Sequence, residues 1–312
     1  MPEEEYSWLP REDILSLEEM ARLVRAFTQV GVSKVRFTGG EPLLRKNFPE
    51  LIQQVAAIPE VQDLALTTNG MLLGNMADAL KSAGIQRLNI SLDTLDRDRF
   101  QALTRRDALP QVLEGIQAAK QAGFVNTKLD TVLIRGTNED EIVSLLEFAA
   151  EESLQLRFIE YMDVGGATHW SKSQVVPREE VLQIVDKHFG KVEMVENHDP
   201  SAPARLYRLA QGIDFGIIAS TTTPFCSDCD RGRVTADGTW FSCLYAQQGT
   251  DLRQALRDGR LDSALSKTLH DLWEHRDDRG AEQRLSAKQR GPAVSLDDLL
   301  ADPLLEMHTR GG

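Results

Sequence analysis

Residues 16–42 read SLEEMARLVRAFTQVGVSKVRFTGGEP, and their periodicity changes halfway. Met20, Leu23, Val24 and Phe27 recur at helical spacing, so they share one face of a helix that Gly31 stops. The run VSKVRF then reads as a strand, and it ends in two glycines and a carboxylate, Gly39, Gly40 and Glu41. The same helix-then-strand unit recurs four more times. Residues 48–58 precede the strand at 63–70, and 75–84 precede 86–93. Residues 110–123 precede 127–136, and 139–153 precede 154–166. Five strands separated by helices predict right-handed crossovers and a parallel α/β sheet. Pattern alone leaves open whether that sheet closes as a barrel.

A further helix is expected at 177–190, followed by a loop, ENHDPSAPA, at 196–204. The expected division is 1–196 for the α/β domain and 197–312 for a smaller α+β domain. Short strands are expected at 205–210 and 214–220. A Thr-Ala-Asp-Gly turn lies at 235–238, and helices are expected at 250–258 and 261–277.

The chain has 312 residues, 41% apolar and 27% charged, the balance of a folded globular protein. Its formal charge of -13 excludes a protein that coats nucleic acid through clustered cations. The acidic start and the lack of a long apolar run point to a cytoplasmic protein with no membrane segment.

In parallel sheets, sites are built over the carboxyl ends of the strands. Here those ends are polar: TGGEP, TTNG, SLD and EYMDVGG. Asn89, Ser91 and Asp93 alternate with Leu88, Ile90 and Leu92, so they share one face. Arg36, Lys128 and Arg157 each interrupt an otherwise apolar strand. A single such cation is ordinarily a snorkelling or ion-paired residue. Three together in an acidic chain point to a multiply charged anion. Gly39 and Gly40 allow a ligand close to the backbone, and Glu41 or the loop carbonyls offer acceptors to an ammonium group. Without a Gly-Lys-Ser/Thr ending, this loop is not a P-loop.

All three cysteines lie in PFCSDCDRGRVTADGTWFSC, residues 224–243: Cys226, Cys229 and Cys243. In a reducing compartment this is a metal or redox site rather than a disulfide framework. Two readings fit the spacing. Zinc would need a fourth ligand, with His270, His275 and His308 downstream. A [4Fe-4S] cluster held through three irons would keep one iron open for a non-protein ligand. Arg231 and Arg233, two apart, fall on the same side of an extended segment beyond Cys229. They suit thiolate charge compensation or recognition of a purine or anion.

Taken in order, RFTGGEPLLR, TTNG, NISLD, RFIEYMDVG, PFCSDCDRGRVTADG and the terminal Gly-Gly resemble the radical AdoMet GTP 3',8-cyclases of molybdenum-cofactor biosynthesis, over nearly the whole chain. The resemblance implies an incomplete parallel (β/α) barrel with a small C-terminal α+β domain that carries an iron-sulfur site. It implies that Gly39, Gly40, Glu41, Ser91 and Met162 hold S-adenosylmethionine (AdoMet). Arg36, Thr67, Lys128, Arg157, Arg231, Gly232 and Arg233 would hold GTP. Cys226, Cys229 and Cys243 would ligate a [4Fe-4S] cluster whose open iron meets the guanine, with Gly311 and Gly312 as a tail near the site. A reductant protein, a cyclic pyranopterin monophosphate synthase that receives the product, and a homodimer are implied as partners.

The sequence departs from that pattern at its start. The family holds its AdoMet cluster with a Cys-x3-Cys-x2-Cys triad followed by Met-Pro, and these residues open at Met1-Pro2. The chain as given is therefore expected to lack the ligands of that second [4Fe-4S] cluster and the first barrel strand. It would then form no radical and would leave the strand at 35–40 as an exposed edge. Asp130 and Asp230 stand where the family usually has Asn, and Gly232 where it has a larger apolar residue. Two other readings remain: a catalytically silent GTP-binding iron-sulfur partner protein, and another radical AdoMet maturase with an auxiliary cluster.

Overall fold

The structure, a computed structural model, describes residues 9–196, 199–258 and 262–310. Helix α1 (Leu17–Thr28) starts at a reciprocal cap, with the Glu19 N–H donating to Ser16 Oγ at 3.1 Å and the Ser16 N–H donating to Glu19 Oε2 at 2.7 Å. It leads into β1 (Lys34–Phe37). Then follow α2 (Phe48–Ala56), β2 (Asp63–Thr68), α3 (Ala77–Ala83), β3 (Arg87–Ser91), α4 (Arg97–Thr104), α5 (Leu109–Gln121), β4 (Lys128–Leu133), α6 (Ile142–Glu151), β5 (Gln155–Glu160) and α7 (Arg178–Phe189). Strands β1 to β5 pair in sequence order, all parallel, as the alternation predicts.

The sheet continues beyond β5. Strands β6 (Glu193–Val195), β7 (Arg205–Arg208) and β8 (Asp214–Ile218) extend it in the order β5-β8-β7-β6. β8 runs parallel to β5, and the other two pairings are antiparallel. Among the described residues the sheet is open, a partial barrel with β1 and β6 at its edges. The expected junction at 196 and 197 falls between β6 and β7, so the sheet runs on across it to residue 218. Helix α4 has no apolar period to mark it in the sequence. Its sequence RDRFQALT is polar, buries only Phe100, and is started by Asp96, which accepts from the Arg99 N–H at 2.7 Å.

Outside the sheet, the helices cover a face made of Leu64, Leu66, Leu88, Ile90, Leu129, Leu133, Leu156, Phe158, Phe215 and Ile217, all buried. A second apolar cluster joins Leu15, Leu23 and Ala26 to Trp240, Leu252, Leu256, Leu265 and Leu269. It fixes the C-terminal elements onto α1: β9 (Arg233–Val234), β10 (Thr239–Phe241), β11 (Thr250–Asp251), α8 (Arg253–Arg257) and α9 (Asp262–Glu274). The Leu15 N–H donates to the Ala236 carbonyl at 2.9 Å, and Ser266 Oγ donates to Gln29 Oε1 at 2.7 Å. The chain continues through α10 (Gly280–Leu285), α11 (Leu296–Ala301) and α12 (Met307–Arg310). Among the described residues no helix is long and apolar enough to cross a membrane.

Candidate active site

The inner face of the sheet is polar because strand alternation leaves every second residue there. Register groups these residues into three rows. Arg36 is level with Ala65 and Arg87. Thr67 is level with Asn89, Lys128 and Gln155. Ser91 is level with Asp130, Arg157 and Gly216. The three cations singled out from the sequence therefore share one face.

Their partners are few. Arg36 donates to Thr67 Oγ1 at 3.1 Å. Among the described residues Lys128 and Arg157 make no side-chain hydrogen bond, and Arg157 Nε is buried without an acceptor. Arg87 differs, for it is paired with Asp63. Asp130 supplies negative charge among the cations and accepts from Asn89 Nδ2 at 2.6 Å, which leaves its own Oδ1 and Asn89 Oδ1 buried and unpartnered. Unsatisfied buried polar atoms carry a cost, and their concentration on one face marks a place for a ligand.

Burial, only partly offset by Asp130, lowers the pKa of both Arg36 and Arg157. Burial first, and then repulsion from Arg157, Arg87 and Arg36, brings the Lys128 ammonium down to about 8. An unfolded lysine titrates near 10.4. Between those values the unfolded chain holds a proton that the folded chain has released. The ligand-free protein should accordingly gain stability as pH rises from about 8 to about 10, with a flat contribution below that window. Urea midpoints measured across the window check this, and Lys128→Met should abolish the rise.

At the carboxyl end of β1, Gly39 takes a φ of 135°, a conformation L side chains rarely adopt. Glu41 then turns inward. Its Oε1 accepts from the Leu43 N–H at 3.0 Å and from Thr68 Oγ1 at 2.9 Å, and its Oε2 accepts from the Asn69 N–H at 2.8 Å. Both oxygens are engaged in clamping the Gly-Gly loop to the end of β2, so the geometry makes Glu41 a positioning residue and leaves the loop carbonyls as acceptors. Glu41→Gln replaces one acceptor by a donor facing the Asn69 N–H. It should cost about 1–3 kcal/mol, read as a lower urea midpoint. Ser91 ends β3, and Met162 follows β5, on the same rim of the sheet.

The cysteine segment turns back on itself. Cys226 and Cys229 bracket one helical turn, with the Cys229 N–H on the Cys226 carbonyl at 3.3 Å. The β9–β10 hairpin pairs Arg233 with Phe241, and the chain leaves it toward Cys243, two residues on. The turn is held by the Thr235 N–H on the Thr239 carbonyl at 2.9 Å. Arg231 Nη2 donates to Cys229 Sγ at 3.4 Å, and its guanidinium lies 4.9 Å from the Phe225 ring centroid. Burial opposes it, yet the Arg231 N–H and the guanidiniums of Arg231 and Arg276 bring the Cys229 thiol down to about 7. Burial, together with Arg231, lowers Arg233 to about 10 despite the attraction of Cys229 and Cys243.

Gly232 has a local reason. A Cβ there would stand 2.7 Å from Trp240 Nε1, so the buried tryptophan occupies the room of a larger residue. Among the described residues no three His, Cys, Asp or Glu side chains converge closely enough to hold one metal ion. His270 is exposed beside Glu274, and His275 Nδ1 lies 2.7 Å from the Asp271 carbonyl.

Two features connect this segment to the sheet. The hydrogen-bonded pair with Asp199 at 2.7 Å raises the pKa of Lys34, and Asp230 adds a smaller attraction. Asp163, fully buried after β5, accepts from Tyr245 Oη at 2.8 Å, Arg284 Nε at 2.8 Å and Arg290 Nε at 2.9 Å. Asp163, Arg276, Arg284 and Arg290 were not singled out from the sequence. The burial of Asp163 against Arg284 and Arg290 marks those three, and contact with Cys229 marks Arg276; both are tertiary facts. Arg310 stacks 4.2 Å from the Phe241 ring centroid and donates to the Leu244 carbonyl at 3.0 Å. Gly311 and Gly312 lie outside the described residues.

Comparison with known proteins agrees with this geometry. Residues 4–149 match the Radical SAM superfamily, and residues 154–282 match Molybdenum Cofactor Synthesis C. GTP 3',8-cyclase 1 of Mycobacterium tuberculosis is 51% identical over 316 aligned positions, covering 100% of this chain and 88% of its own. GTP 3',8-cyclase of Rhodopirellula baltica is 40% identical, covering 100% and 84%. Among solved structures, SuiB of Streptococcus suis shares the fold at a TM-score of 0.58 and 15% identity, covering 88% of this chain and 62% of that one. Membership of the radical SAM superfamily implies a [4Fe-4S] cluster and AdoMet. With half its residues identical to one such relative along its whole length, the chain belongs to the GTP 3',8-cyclase family.

Proposed function

We propose that this protein is a GTP 3',8-cyclase of molybdenum-cofactor biosynthesis, a radical AdoMet lyase that takes GTP against the inner face of the sheet. The carrying observation is the set of under-partnered cations on that face, Arg36, Lys128 and Arg157, in a chain whose net charge is -13. Such groups stabilise a bound polyanion more than they stabilise the empty fold. Thr67 accepts from Arg36 and holds that guanidinium toward the site. On the rim, the Gly39-Gly40 carbonyls, Ser91 and the Met162 backbone hold AdoMet, with Glu41 fixing the loop.

The donor set Cys226, Cys229 and Cys243 fits a [4Fe-4S] cluster better than zinc. Among the described residues the side chains that reach Cys229 Sγ are the arginines Arg231 and Arg276, not a fourth cysteine or histidine, and a cubane takes one thiolate on each of three irons and leaves the fourth open. Arg231 and Arg233 flank it as donors to the guanine, and Gly232 adds no side chain between them. Arg310 donates to the Leu244 carbonyl, the residue after Cys243. These 312 residues include no cysteine triad for the AdoMet cluster; AdoMet bound to such a cluster, held by cysteines outside these residues, would supply the radical chemistry at the ribose of GTP. The chain's residues neutralise the triphosphate, orient the purine and screen the site from water. A reductant protein, a cyclic pyranopterin monophosphate synthase downstream and a second copy of this chain are its proposed partners.

Anaerobic reconstitution tests the reading. Iron, sulfide and zinc are counted per chain, and the EPR spectrum of the reduced cluster is recorded with and without GTP. About four irons and a GTP-dependent spectrum are expected from this C-terminal site. One zinc per chain and no response to GTP would overturn the assignment.

A further inference from the structure

Cys229 receives two guanidiniums. Arg276 Nη1 donates to its carbonyl at 2.8 Å, while Arg276 Nη2 and Arg231 Nη2 donate to its sulfur at 3.5 Å and 3.4 Å. The two arginines are held very differently. Arg276 follows α9 and keeps only 9% of its side chain exposed. Its Nε lies 3.6 Å from the Asp278 carboxylate, and its guanidinium lies 4.7 Å from the Trp273 ring centroid. Trp273 in turn packs against Trp240, with centroids 6.4 Å apart, under the β9–β10 hairpin. Carbonyl, carboxylate and ring therefore fix Arg276 from three sides. Arg231 has the sulfur and the Phe225 ring, and its Nε is buried without a partner.

We propose that Arg276 is a positioning residue of the three-cysteine site. It stays on the Cys229 thiolate as a permanent donor, and so frees Arg231 to leave that sulfur for the incoming nucleotide. The inference rests on the cluster reading above. A fixed cation and donor at a ligating sulfur withdraws electron density and favours the reduced cluster. One guanidinium on duty at the thiolate makes the other available for recognition, which a lone arginine at that position would have to divide between two tasks.

The test uses the full chain reconstituted with iron, as wild type, Arg276→Gln and Arg276→Lys. Iron content, the EPR-monitored reduction midpoint and GTP affinity are measured for each. Arg276→Gln should keep its iron, shift the midpoint negative by a tenfold fall in the reduced-to-oxidised ratio, about 59 mV for one electron, and bind GTP more weakly. Arg276→Lys, which keeps the charge and one donor, should fall between the two. A midpoint in Arg276→Gln equal to that of wild type, with iron retained, overturns the inference. If Arg276→Gln loses iron, Arg276→Lys decides: retained iron with an intermediate midpoint supports the role, and loss in both makes Arg276 a folding residue and overturns it. Zinc in the wild-type chain would sink the cluster reading itself, an outcome visible before any variant is compared.

Discussion

Cys243→Ala should leave the reconstituted chain with almost no iron and no EPR response to GTP, while far-UV circular dichroism stays that of the wild type. The expectation follows from how the cysteine is supplied. Cys226 and Cys229 flank one turn, whereas Cys243 lies beyond the β9–β10 hairpin. Two thiolates three residues apart would leave two of the four irons without a protein ligand, one more than the three-cysteine site leaves open. The hairpin itself is secured by Thr235, Asp237 and the buried Trp240 and Phe241, none of which depends on the thiol. Iron retained at the wild-type level in Cys243→Ala would show that the third ligand comes from elsewhere.

The second large effect is expected at Arg157→Ala, which should weaken GTP binding by about 30- to 150-fold, the loss of one charged hydrogen-bonded contact of about 2–3 kcal/mol. The ligand-free variant should melt no lower than the wild type. Arg157 sits half-buried beside Asp130 with an unpartnered Nε, so its removal takes away a cation that the empty fold does not satisfy. Arg87→Ala is the contrast. That guanidinium already faces Asp63 across β2 and β3, so its loss should lower the melting point and leave GTP affinity nearly unchanged. Calorimetry of nucleotide binding and thermal melts of the two variants separate a ligand-directed cation from a fold-directed one. Equal losses of affinity in both would contradict the distinction.

The reading from sequence was strongest where periodicity is long. α1, with Met20, Leu23, Val24 and Phe27 on one face, and the five strands from Lys34 to Glu160 declare their period over several turns or alternations. It was weakest where tertiary contact supplies the order. β6 has three residues and an exposed Met194, and nothing in Glu193–Val195 says that it edges the sheet. β8 reads as a strand, but its parallel pairing with β5 depends on the hairpin that precedes it. In the site, Arg36, Lys128 and Arg157 stood out because a cation breaks an apolar strand. Glu41 was legible as a loop carboxylate, yet its engagement with Thr68 and Asn69 was not, since those residues lie a helix away. Arg276 lies in a charged run, HRDDR, where sequence offers no reason to choose one arginine over the next.

The two faces of the sheet have unequal shares in holding it together. Apolar side chains are buried under the helices on one face, while the inner face carries cations and unpaired polar atoms. A nucleotide that settles there supplies what that face lacks, and a ligand that binds only the folded state raises stability with the logarithm of its concentration. If GTP binds on that face as proposed, adding it should raise the melting temperature of the chain, and the empty protein should be the easier one to unfold and cleave.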